Sequence, residues 1–173
     1  MEVHSAASFL SYFESVRGRT RRVAAVIPEE HVEWTPRAGA WTLGDVVRHV
    51  AATERWMWGE NVQGRPSRYP GCGPELASGK EAVLAYLDRM HAETVEIIGR
   101  LSPEDLAKPS VTPGGAPITT WKWLRSMVEH EIHHRGQIYL MLNLLGVPTP
   151  PIFGLTSEQV LERSEPLGAG APT

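Results

Sequence analysis

Four stretches of this chain repeat their apolar residues at the helical period of about 3.6, and no segment alternates convincingly at period two. The sequence therefore predicts an all-α fold with almost no sheet. The first helix is expected from about Ser5 to Ile27, with Phe9, Leu10, Phe13, Val16, Val23 and Val26 on its apolar face and Pro28 ending it. The second opens on Thr42-Leu43-Gly44-Asp45, a start of capping-box type, carries Val46, Val47, Val50, Trp56 and Met57, and fades near Asn61. A proline- and glycine-rich loop, Gln63 to Gly79, leads to Ser78-Gly79-Lys80-Glu81, which reads as a capping box. The third helix follows through Leu84, Leu87, His91, Val95, Ile98 and Leu101. Ser102-Pro103-Glu104-Asp105 predicts a short helical turn with proline at its first position. A second loop, Thr112 to Pro117, precedes a fourth helix that starts near Thr119 and is closed by Gly146 and Pro148. Four amphipathic helices, each burying one stripe, imply a four-helix bundle with extra helical turns in its loops.

The 173 residues are read as a single domain over residues 1–165, with a last short helix starting at Leu155-Thr156-Ser157 and a tail, 166–173, expected to be disordered. A formal charge of −3 gives no basic field for nucleic acid. The lone cysteine, Cys72, lies in the loop Pro70-Gly71-Cys72-Gly73-Pro74, excludes an internal disulfide and fits a reducing compartment. There is neither a signal-peptide pattern nor an apolar run of the roughly 18 residues a membrane span needs. The expectation is a cytoplasmic protein that binds neither membrane nor nucleic acid.

The chemistry concentrates in Glu129-His130-Glu131-Ile132-His133-His134-Arg135-Gly136-Gln137. Residues four apart on a helix lie about 40° apart around it, so His130 and His134 face the same way one turn apart. That spacing suits two imidazoles gripping one metal ion. Bundles often place such sites in the core between facing helices. Helix four has an inward stripe at 120, 124, 127, 131, 134, 138 and 141; His134 lies on it and His130 at its edge, while His133 points sideways. A third ligand is sought elsewhere. His49, framed by Val46 and Val50, ranks ahead of His91; His4 and His31 lie at or beyond the ends of helix one.

The segment Trp41-Thr42-Leu43-Gly44-Asp45-Val46-Val47-Arg48-His49, followed by His130-Glu131-Ile132-His133-His134-Arg135-Gly136-Gln137 and Gly146, resembles the DinB/YfiT-like superfamily over roughly Arg19 to Gly154. The resemblance implies a four-helix bundle whose metal is held by one histidine of the second helix and an H-x3-H pair of the last. It assigns His49, His130 and His134 as ligands of a divalent ion, zinc, nickel or iron. It also implies metal-dependent chemistry on a small-molecule substrate. Some relatives act as thiol transferases or thiol-dependent isomerases with bacillithiol, mycothiol or glutathione. A homodimer is a further implication.

Two rival readings share these residues. His130-Glu131-Ile132-His133-His134 matches H-E-x-x-H, in which Glu131 is the general base of a zinc hydrolase or peptidase. The third ligand would then be Glu158 or, less readily, Glu162, although no strand offers an edge to a peptide. Alternatively the bundle holds a structural metal and is no enzyme. Within the bundle reading Glu131 serves as base or hydrogen-bonds a ligand imidazole, or else pairs with a nearby arginine. Asp45 is read as a helix-start residue. Gln137 contacts substrate or packs, and Tyr139 packs. Arg135 takes a solvated salt bridge or an anionic substrate group, and Gly136 permits close helix approach. Trp56, Trp58, Trp121 and Trp123 divide between core, pocket mouth and dimer face.

Overall fold

In the computed structural model, which describes residues 2–165, the Ser5 hydroxyl accepts the Ser8 amide and opens α1 (Ala6–Ala25). The expected capping box starts α2 (Leu43–Thr53): the Thr42 hydroxyl accepts the Asp45 amide at 3.0 Å and the Asp45 carboxylate accepts the Thr42 amide at 3.0 Å. Helix α2 runs on through a single π turn, Glu54–Trp58, into the short α3 (Gly59–Asn61). The remaining elements are a 3-10 turn (Glu29–His31) after α1, then α4 (Lys80–Gly99), α5 (Pro103–Ala107), β1 (Pro109–Val111), β2 (Pro117–Thr119), α6 (Thr120–Leu144) and α7 (Ser157–Arg163). The expected tail, 166–173, lies outside the described residues.

The four long helices form a bundle in which α4 and α6 each pack on both α1 and α2. Helices α1 and α2, neighbours in sequence, thus stand at opposite corners. The link 26–42 joins these opposite corners, and the link 62–79 runs back along α2, with Arg68 held at Trp56 and Cys72 at Arg48.

Two details depart from the sequence expectation. Ser78 is not the cap of α4: Gly79, at φ 82°, holds the N-cap position, and the Glu29 carboxylate accepts the Lys80 amide at 3.2 Å. A carboxylate from another part of the chain thus supplies the anion that the helix start attracts. The loop around 112–117 is the turn of a small hairpin, with Pro109 opposite Thr119 and Val111 opposite Pro117. Strands of three residues are too short to show alternation in sequence.

The core is divided in two. One apolar cluster gathers Val23, Leu43, Val46, Val47, Val50, Leu87, Met90, Ile138 and Leu142. The other gathers Phe9, Phe13, Val16, Trp58, Ile98, Leu106, Leu124, Met127 and Val128. Between them every side of the bundle contributes buried polar groups: Arg17 and Thr20 from α1, Glu54 from the π turn, His91 and Thr94 from α4, Glu131 from α6. Burying charges is costly unless they are paired, and here they are. Arg17 bridges Glu54 and, at 2.8 Å, Glu131; His91 Nδ1 lies 2.8 Å from Glu54 and its Nε2 3.2 Å from the more exposed Glu14. No helix among the described residues is long and apolar enough to cross a membrane.

Candidate metal centre

The level of the polar layer is also the level of the histidines. On α2, Val46 and Val50 are buried and the intervening His49 is half-buried, turned toward α6. From α6, His130 and His134 meet it, one helical turn apart. His49 Nε2 lies 3.0 Å from His130 Nε2, and His134 Nε2 lies 3.1 Å from the same atom. One ring nitrogen from each of the three lies within 4.8 Å of the others, a grouping that can hold a metal ion. Nitrogen ligands at about 2.0–2.1 Å around a tetrahedral zinc stand about 3.3 Å apart, so the spacing of the donors fits the group.

Two of the three outer nitrogens have partners. His49 Nδ1 is 2.7 Å from the Tyr69 hydroxyl, and His134 Nδ1 is 2.7 Å from Gln137 Oε1. Gln137 Oε1 can only accept, so His134 carries its hydrogen on Nδ1 and presents a lone pair at Nε2. Burial pulls His130 down to about 3 and His49 down to about 4, each pushed further by the charge a neighbouring histidine would carry. His134 is lowered by burial as well, against the opposing hydrogen bond to Gln137. All three imidazoles are therefore neutral at pH 7, the state a metal ligand needs.

Aromatic rings wall the cluster. The Trp41 ring, 43% exposed, lies 4.5 Å from that of His49 and 5.9 Å from that of His134. On the inner side, buried Trp58 lies 4.9 Å from His130 and 5.0 Å from Trp123. Trp58 is a core residue, and Trp121 and Trp123 pack half-buried against the same cluster.

The other candidates fall elsewhere. Glu131 follows His130 but lies about 100° further round the helix; it is buried against Arg17, in the polar layer rather than among the three imidazoles. His91 belongs to that layer too. His133 is exposed, 3.2 Å from the Gln137 amide nitrogen. Glu158 sits in the first turn of α7, where every residue is exposed, and is outside the histidine cluster, as is Glu162. Asp45 caps α2 and pairs with Arg48 at 2.7 Å. Tyr139 packs against the core and donates to the Pro150 carbonyl.

Two expectations are corrected. Arg135 makes no solvated salt bridge: it is buried and donates to the Val16 carbonyl at 3.3 Å. Gly136 mediates no close approach, since a Cβ there would meet nothing within 4 Å. Sequence reasoning also left Tyr69 unnoticed. The residue lies in a loop with no periodicity, and a tyrosine there carries no distinguishing pattern. Trp41 had one signal, its place eight residues before His49 in the family-like segment.

Comparison with known proteins agrees with this architecture. Residues 12–138 match the sequence model of the DinB superfamily. The uncharacterized protein YjoA of Bacillus subtilis (strain 168) is 24% identical over 147 residues, covering 83% of this chain and 93% of that protein. A crystal structure of a DinB-like protein from Bacillus cereus ATCC 10987 superposes with a TM-score of 0.69 at 20% identity, covering 86% of this chain and 97% of the other. YfiT from Bacillus subtilis, described as a probable metal-dependent hydrolase with an unusual four-helix bundle topology, superposes with a TM-score of 0.66 at 17% identity over 83% of this chain and 89% of its own. The three-histidine cluster suggests a divalent metal.

Proposed function

The chain belongs to the DinB superfamily, and from that premise we propose that it is a metal-dependent enzyme acting on a small molecule, with His49, His130 and His134 as the metal ligands. One observation carries the reading: three neutral imidazoles from two helices converge through their Nε2 atoms at 3.0 and 3.1 Å. Three protein ligands leave a tetrahedral ion one open position, the mark of a catalytic rather than a structural site. Zinc, nickel and iron all accept imidazole. When bound, such an ion supplies Lewis acidity, lowering the pKa of a small acidic ligand such as a thiol or water.

The protein's own residues favour a thiol. Hydrolysis by the H-E-x-x-H route needs a carboxylate base beside the metal. Glu131, the residue in that place, is instead committed to Arg17. A low-molecular-weight thiol needs less help, because its proton is far more acidic than that of water. The half-exposed Trp41 and Tyr69 give a substrate an aromatic wall beside the ligand rings. We therefore favour thiol-dependent transfer or isomerisation. Hydrolysis is the second reading, supported by the description of YfiT as a probable metal-dependent hydrolase. A homodimer is proposed on family grounds, and exposed Leu140 and Leu144 on α6 offer it an apolar face.

The test is a paired assay of metal-loaded protein with electrophilic acceptors, with and without bacillithiol, mycothiol or glutathione. Turnover that requires a thiol and disappears in His134→Ala supports the proposal. Thiol-independent hydrolysis supports the second reading and overturns the first, and its loss in Glu131→Gln would assign it to the H-E-x-x-H route.

A further inference from the structure

We propose that Tyr69 and Gln137 are positioning residues of the three-histidine centre, each accepting the outer Nδ1 hydrogen of an imidazole so that Nε2 is left free to bind. The inference rests on the metal reading above. A neutral imidazole has one N–H, and the acceptor beside one nitrogen decides which nitrogen keeps it. Here the nitrogens that converge are Nε2, so the Nδ1 atoms must carry hydrogen. Two of the three are met at 2.7 Å, His49 by the Tyr69 hydroxyl and His134 by Gln137 Oε1.

Each acceptor is itself held. Tyr69 lies in a link without regular structure, yet that link is tied down on both sides of it. The Arg68 amide donates to the Trp56 carbonyl at 2.7 Å. On the other side, Arg48 Nε donates to the Cys72 carbonyl at 2.7 Å, and another of its nitrogens donates to Ala77 at 2.9 Å. Arg48 is 0% exposed and is fixed in turn by Glu33 and Asp45, each at 2.7 Å. It is also the residue before His49. The helical turn that presents the ligand thus anchors the loop that returns Tyr69 to it. Gln137 is oriented by His133, whose Nε2 accepts from the amide nitrogen at 3.2 Å and leaves Oε1 toward His134. This gives the non-ligand histidine of the run a purpose.

The test uses the full-length protein, stripped of metal, in two measurements: zinc affinity by competition with a chromophoric chelator, and the absorption spectrum of the cobalt(II) form. Tyr69→Phe keeps the ring and removes the acceptor. Expected are a zinc affinity about 10–100-fold weaker, shifted cobalt bands, and an unchanged melting temperature of the metal-free protein. Gln137→Glu, a stronger acceptor, is expected to tighten zinc binding. Affinity and spectrum equal to wild type in both variants would overturn the proposal. So would a Tyr69→Phe loss accompanied by a lower metal-free melting temperature and an unshifted cobalt spectrum, which assigns Tyr69 to loop packing. Should wild type bind neither zinc nor cobalt at one ion per chain, the metal reading itself fails, an outcome distinct from equal binding by all three proteins.

Discussion

Glu131 and Arg17 form a buried ion pair, 2.8 Å apart, that joins α6 to α1 one residue after α6 has turned His130 toward α2. A single step along the helix thus separates the metal-facing surface from the buried polar layer. Removing one partner of such a pair leaves an uncompensated buried charge. Arg17→Ala, which strands Glu131 and leaves Glu54 with His91 alone, is expected to cost about 3–5 kcal/mol of stability, measured by urea denaturation. Glu131→Gln is expected to keep full metal content and turnover. A general base worth its usual factor of about 100 or more would show instead as a matching fall in kcat.

The polar layer also sets a pH dependence. Burial opposes a charge on His91, but the hydrogen bond and negative charge of Glu54 outweigh it and raise His91 above its ordinary 6.5. A raised histidine adds stability that is complete below the unfolded value and is lost as pH rises through the folded one. Metal-free protein is expected to lose stability above pH 6.5 on this account, and His91→Gln to lack that slope. The three clustered histidines act in the opposite direction and in a different window. Their lowered values leave them neutral when folded, so their contribution is intact above 6.5 and is lost as pH falls toward about 4 for His49 and about 3 for His130. Denaturant midpoints of metal-free protein across both windows separate the two. A flat profile above pH 6.5 in wild type would contradict the His91 assignment.

Much of this was readable in the chain. The long helices, the caps at Thr42 and Ser102, and the valines framing His49 follow from periodicity and short-range chemistry. The H-x3-H spacing on α6 places two histidines together by helix geometry alone. The remainder depended on tertiary contacts. Arg17, Glu54 and His91 stand at positions where helical periodicity only says that a face is buried; their mutual pairing exists because the packed helices bring them to one level. The Glu29 cap of α4 and the Tyr69 contact come from links whose paths the sequence pattern does not encode.

Two glycines give a paired test of local packing. A Cβ at Gly44 would come within 2.9 Å of both Val32 and the Arg48 guanidinium, inside the first turn of α2. Gly44→Ala is expected to lower both stability and metal affinity, because the displaced groups anchor the turn that carries His49. At Gly136 the added methyl is unobstructed, so Gly136→Ala is expected to stabilise α6 by about 0.5–1 kcal/mol. Thermal melts of the two variants should therefore move in opposite directions. A destabilised Gly136→Ala would restore the close-approach role that the open space around it argues against.

A ligand that binds only the folded state stabilises it by mass action. Zinc at a hundred times its dissociation constant is expected to add about 2.7 kcal/mol to unfolding, reversed by chelator and absent in His130→Ala. Equal zinc-induced stabilisation of that variant would place the ion elsewhere.

Elemental analysis of purified wild type beside His49→Ala, His134→Ala and His133→Ala tests the centre most directly. One ion per chain in wild type and His133→Ala, with near-complete loss in the other two, is the predicted result. Full metal content in His49→Ala would contradict it.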